Sequence, residues 1–172
     1  MMQKFKNLNI NLKSGQFLIE SIVAIGIVTV GLVSLLGLLS NSLSLNRVVA
    51  DQYTATYLAS EGIEVVKAIV DKNIIQSQSC GGCIPWNTGI ANGNFEIQYD
   101  DNALEPDSDR YIRVKDGVYS YDLLGSATPF KRKIIVQLVG ADEIQVNSRV
   151  NWITRGNGSF TVNLEDHFYN WR

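Results

Sequence analysis

The sequence predicts an α+β chain in which one long N-terminal helix precedes an antiparallel sheet, and three features of its 172 residues carry that expectation. From Phe17 to Leu39 the only ionisable side chain is Glu20, so the segment is apolar over a length that suits a bilayer, for which about 20 residues suffice. From Arg47 to Asn73 there is no proline, and apolar residues recur with a helical period. Beyond Asn94 the pattern changes to short runs alternating apolar and polar residues, the period of strands with one covered face.

The helix is expected from about Phe17 to about Asn73. Gly26, Gly31 and Gly37 each lower its intrinsic propensity by up to about 1 kcal/mol relative to alanine, and in lipid such small residues allow close helix packing. In its second half Val48, Ala55, Ala59, Gly62, Ile63, Val66, Ile69 and Val70 form one stripe, with Asp51, Glu61, Glu64, Asp71 and Lys72 off it. Tyr53 and Tyr57 fall opposite the stripe and are expected at a surface, facing solvent or a neighbouring subunit.

Strands follow. Asn94 to Tyr99 places Phe95, Ile97 and Tyr99 on one side, and Tyr111 to Val114 and Val118 to Tyr121 flank Asp116-Gly117, a favoured two-residue hairpin turn. The strongest alternation comes last, in Ile134, Val136 and Leu138, then Ile144, Val146, Val150 and Trp152, then Phe160, Val162 and Leu164. Ala141-Asp142 and Gly156-Asn157-Gly158 separate these runs as turns. An antiparallel meander whose apolar face covers the helix stripe is the expected result.

About 130 residues follow the apolar segment, enough for one modest core. Fifteen basic and 17 acidic side chains give a net charge of −2, and no broad basic surface for nucleic acid is evident. Enzyme chemistry is not expected: there is no Gly-rich phosphate loop and no nucleophile elbow, and His167 is the sole histidine, so no triad can be built. His167 is expected to be structural or at the surface.

Cys80-Gly81-Gly82-Cys83 is expected to form a disulfide on a domain outside the membrane, pinning the loop after the helix. The alternatives are a redox pair, which lacks a thioredoxin-like βαβ setting, and half a zinc site completed by another chain. Asp100, Asp101, Glu105, Asp107 and Asp109 form an acidic loop, followed by Arg110, Arg113 and Lys115, which are expected to balance it. A solvated loop is the expected state. If the loop took calcium, the ligands would be Asp100, Asp101, Asp107 and Asp109, although the spacing is not that of an EF-hand.

Glu20 remains. An unpaired carboxylate at a bilayer centre costs at least about 2.5 kcal/mol, so it needs a cation. Lys4, Lys6 and Lys13 precede the apolar run with no acid among them, which places residues 1–15 on the cytoplasmic side. Unlike a secretory signal, the small residue Gly15 lies before the apolar core, so a cut there leaves the stem on the mature protein. Cleavage after Gly15 would create an α-amino group at Gln16, able to neutralise Glu20 of a neighbouring copy.

Gly15, Leu18, Ile19 and Glu20 resemble the cleavage site of type IV prepilins and pseudopilins, glycine-phenylalanine-threonine-leucine-isoleucine-glutamate, with differences at Gln16 and Phe17. The tract Ala59-Ser60-Glu61-Gly62-Ile63-Glu64 and the ending Phe168-Tyr169-Asn170-Trp171 resemble minor pilins of the type IV pilus modification group. The resemblance implies the pilin fold and a division into a leader peptide 1–15, a transmembrane and assembly half 16–45, and a globular head 46–172. It implies a structural subunit of a type IV pilus or related filament, cut by a prepilin peptidase between Gly15 and Gln16, with methylation of the Gln16 amine. Assembly would run through Glu20 and Phe17, with other pilin subunits and the pilus assembly platform as partners. Such a protein is single-pass in the cytoplasmic membrane before assembly, and at the cell surface or in a periplasmic filament afterwards. The alternatives are a type II secretion pseudopilin and a membrane-tethered binding domain that never assembles.

Overall fold

A computed structural model describes residues 13–154 and 158–170. Residues 1–12 of the expected leader, with Lys4 and Lys6, Gly156 and Asn157 of an expected turn, and Trp171 lie outside the described residues. The chain divides into two compact units between Arg47 and Val48, each treated by itself below. One helix, α1 (Lys13–Ser79), contributes to both.

In the first unit, every described side chain from Gly15 to Arg47 is exposed. This stretch is apolar on all sides, and α1 is long and apolar enough there to cross a membrane. Three of its hydroxyls do not demand water. Those of Ser21, Thr29 and Ser34 donate to the carbonyls of Phe17, Gly26 and Val30 at 2.7, 2.9 and 2.9 Å, which satisfies them within the helix.

In the second unit α1 becomes one-sided. Ala55, Leu58, Ala59, Val66, Ile69 and Val70 are buried, with Gly62 among them, while Tyr53 and Tyr57 stay exposed. The helix runs about six residues past the expected end because no breaker occurs before Gly81. There the chain turns left-handed, with φ of 72° at Gly81, and the Gly82 N–H donates to the Ser77 carbonyl at 2.8 Å. Together with the longer Gly81-to-Gln78 bond of 3.5 Å, this is a Schellman stop, so the glycines of the C-x-x-C motif terminate the helix.

Eight strands follow: β1 (Gly93–Glu96), β2 (Glu105–Pro106), β3 (Arg113–Lys115), β4 (Val118–Ser120), β5 (Ser126–Ala127), β6 (Phe130–Val139), β7 (Glu143–Ile153) and β8 (Ser159–Tyr169). All pairings are antiparallel, in a five-stranded sheet ordered β2-β1-β6-β7-β8 and a three-stranded sheet ordered β4-β3-β5. The layout is therefore α+β, as the pattern predicts, with two differences. The β3–β4 hairpin leaves the meander for its own sheet, and β1 crosses to pair with β6. Asp116 and Gly117 make the expected hairpin turn, with φ of 52° and 82°, the left-handed pair that a type I′ turn requires.

The core lies between the helix stripe and the large sheet. Val66, Ile69 and Val70 pack with Ile97, Ile134, Val136, Ile144 and Val146, and Ala55, Leu58 and Ala59 pack with Ile112, Phe130, Val150 and Trp152. Gly62 sets the closest approach. A Cβ there would lie 2.6 Å from Ser148 Oγ and 2.7 Å from Ile134 Cδ1, closer than real contacts allow, so the small residue is required by packing. Tyr99 departs from the expected alternation and is exposed, because β1 ends at Glu96 and the chain turns, with the Asp101 N–H donating to the Gln98 carbonyl.

A buried cation ties the layers together. Arg132 is only 3% exposed, and its Nη1 donates to the Leu58 carbonyl on α1 at 2.8 Å and to Glu61 Oε1 at 2.9 Å, while Nη2 donates to the Ile97 carbonyl. Glu61 is thus not a free solvent-facing acid, as its place off the stripe suggests, but the counter-ion of the core.

Candidate functional site

On the stem, Gly15, Gln16, Phe17 and Glu20 all lie on α1 and are exposed. Gln16 and Glu20 are four residues apart and so share a helix face, one turn from each other. Gly15 and Gln16 are both exposed, and a Cβ placed on Gly15 meets nothing within 4 Å outside the helix's own neighbouring backbone. From Phe17 to Leu39 Glu20 is the one ionisable group, on an apolar surface left exposed among the described residues.

In the second unit, Cys80 and Cys83 are bonded, with Cα atoms 5.6 Å apart. The pair sits at the C-terminal end of α1, where the helix dipole opposes a thiolate rather than favouring one. A second residue ties the loop beyond it. Asn73, nearly buried, donates from Nδ2 to the carbonyls of Trp86 and Thr88 at 3.2 and 2.8 Å.

The four calcium candidates separate. Asp107 pairs with Lys133 at 2.6 Å and Asp109 with Lys131, whereas Asp101 accepts the Gln98 N–H at 2.8 Å. Asp100 makes no ion pair among the described residues, and among these no group of three His, Cys, Asp or Glu side chains could hold a metal ion. The Lys131 ammonium, bonded to Asp109, holds that carboxyl below its usual range and is itself raised in turn. The balancing cations are thus the lysines of β6, not the residues that follow the loop. Arg110 instead forks onto the buried Glu96, which raises its own pKa; Lys115 pairs with Asp122 at 2.9 Å, and Arg113 donates to the Gly125 carbonyl at 3.0 Å.

Arg110 also lies 4.7 Å from the ring centre of Tyr121, whose hydroxyl is pushed up by burial. The two floor a groove of about 640 Å³ between the β1–β2 loop and the β3–β4 hairpin. Asp100, Asp101, Glu105 and Asp116 line it and form no ion pair among the described residues, so the groove is electronegative. This groove escaped the sequence reading because its walls come from segments up to 26 residues apart, Glu96 to Asp122.

His167 bridges two carboxylates, Nδ1 to Glu143 at 2.6 Å and Nε2 to Glu165 at 3.1 Å. Both hydrogen bonds, the Glu143 one first, raise the imidazole pKa, and the His167 contact lowers that of Glu165. The contacts are those of a cross-strand link on the polar face of the sheet. Set against protein-family models, curated proteins and solved structures, the chain matches none.

Proposed function

We propose that the chain is the precursor of a minor pilin, a structural subunit that adopts the pilin fold and is withdrawn from the cytoplasmic membrane into a type IV pilus or related filament. The observation that carries this reading is Glu20, the only charge on an all-round apolar helix surface, one turn beyond the residue that cleavage after Gly15 would make the new N-terminus. A prepilin peptidase cuts between Gly15 and Gln16 and methylates the Gln16 amine. The stem then passes from lipid to the stems of other subunits. That transfer is apolar to apolar and nearly neutral, so it supplies little direction. Direction comes from the Glu20 carboxylate of one subunit meeting the Gln16 amine of its neighbour, with Phe17 packed beside it. The role is structural, and the partners are other pilin subunits, the peptidase and the assembly platform.

Mass spectrometry of the mature protein is the first test, and a chain beginning at Gln16 is the expected result. A chain that retains Lys13 refutes the reading in favour of a simple membrane tether. Glu20→Ala should leave membrane insertion and the head's stability unchanged while reducing incorporation into filaments to background. Normal incorporation of that variant overturns the pairing. Recovery of the wild type in sheared surface fibres, rather than with a secretion apparatus, distinguishes pilus from pseudopilus.

A further inference from the structure

The two edges of the large sheet are unlike. One edge is β2, two residues long and ending in Pro106, which is how sheets are kept from pairing further. The other is β8, 11 residues long, with no strand beyond it among the described residues.

The register says which of its peptide groups are free. β7 and β8 pair without a break from Glu143↔Tyr169 to Ile153↔Ser159. Continuing that register at both ends, the Asn170 N–H donates to the Asp142 carbonyl at 2.8 Å and the Thr154 N–H to the Gly158 carbonyl at 3.0 Å. Bonded and non-bonded pairs alternate in an antiparallel ladder, so the even-numbered residues of β8 turn their peptide groups towards β7. The odd-numbered ones, Ser159, Thr161, Asn163, Glu165, His167 and Tyr169, turn theirs outwards. His167 is the exception that fits, for its N–H is taken by Asp166 Oδ1 at 2.9 Å.

Side chains add to the backbone signal. Phe160, Val162, Leu164 and Phe168 lie on the core side of β8, opposite the buried Trp152, Val150, Ser148 and Ile144, yet all four remain partly exposed. Among the described residues the apolar face therefore continues to the edge without a cover. Beside it stand Glu165 and Asp166, one on each face of the strand.

We propose that the β8 edge is a docking site for an extended segment of a partner protein, which adds to the sheet as a sixth strand. It places alternate apolar side chains beside Phe160, Val162 and Leu164, and a basic residue level with Glu165 and Asp166. A second copy of this chain fits less well. In the register that overlaps two β8 strands fully, Asp166 of each faces Val162 of the other, and the Glu165 carboxylates become diagonal neighbours.

The test is amide exchange on the full chain in detergent micelles. Alone, the N–H groups of Ser159, Thr161, Asn163 and Glu165 should exchange fast and those of Phe160, Val162 and Leu164 slowly. An 11-residue peptide alternating valine and threonine, with two lysines near one end, should slow the four fast amides by about tenfold or more. The same peptide with glutamates for the lysines should protect them less, and one N-methylated at alternate amides not at all. In the double variant Glu165→Lys, Asp166→Lys the preference between lysine and glutamate peptides should invert. No protection by the lysine peptide, equal protection by the N-methylated one, or an unchanged preference in the double variant overturns the proposal. So does protection that grows with protein concentration in the absence of peptide, which would assign the edge to a second copy.

Discussion

The two halves of α1 treat apolar side chains in opposite ways. From Phe17 to Leu45 they surround the helix and all are exposed; from Ala55 to Val70 they form a stripe that is buried against strands. The backbone geometry is the same in both. What differs is the angular distribution of the side chains: one half is long and apolar enough on all sides to cross a membrane, and the other turns a single stripe to a sheet. Glycine shows the same contrast. Gly26, Gly31 and Gly37 have nothing within 4 Å of an added Cβ, whereas Gly62 has no room for one.

The largest break in this comparison should come from Arg132→Ala, which strands the Glu61 carboxylate and frees two buried carbonyls, those of Leu58 and Ile97. Glu61 keeps partial access to water, so the main cost is the two unmet carbonyls, about 1–3 kcal/mol each. Urea unfolding followed by the fluorescence of the buried Trp152 should show it, with helicity of the stem in micelles unchanged. Gly62→Ala comes next, at about 1–3 kcal/mol for overpacking, because Ser148 and Ile134 must move. Gly26→Ala is its counterpart and should leave the head's unfolding midpoint where it is. Equal effects from the two substitutions would erase the distinction between the halves.

Smaller effects sharpen the picture within the head. Replacing Cys80 and Cys83 by serine should cost no more than about 2 kcal/mol, since the disulfide closes a very short loop and the Schellman turn and Asn73 remain. The smallest concerns His167. Its folded pKa lies above the unfolded value, so the proton is held more tightly in the native state. The stabilisation is complete below about pH 6.5 and fades as the pH rises through the raised pKa. The melting temperature of the wild type relative to His167→Gln should therefore be higher at about pH 6 than at about pH 8.5. A difference that grows with pH would contradict the contact.

Much of the head was legible from alternation. The three long strands, the Asp116-Gly117 turn and most of the helix stripe are local patterns, and local patterns survive folding when nothing competes with them. Lys131-Arg132-Lys133 shows where legibility stopped. Read as composition it is a basic surface run, but Arg132 is in phase with Phe130, Ile134 and Val136, and the strand turns it inwards while the two lysines reach Asp109 and Asp107. The phase was a usable signal. Ser148 carries the same one, in step with Val146 and Val150, and its small size is matched to Gly62. Of the candidate site, the Gln16 to Glu20 spacing was readable, because side chains four residues apart on a helix share a face. The electronegative groove and the β8 edge were not.

Periodicity and residue size sufficed for the apolar stem, its single carboxylate, the amphipathic continuation and the antiparallel character of the sheet, since each depends on neighbours a few positions away. Strand order, the departure of β3–β4–β5 into a second sheet, the Arg132 clamp and the uncovered edge of β8 were decided by tertiary structure. Those depend on which distant segments meet, and pairings across tens of residues are selected by packing volume and hydrogen-bond satisfaction over the whole core, quantities that no short window of sequence contains.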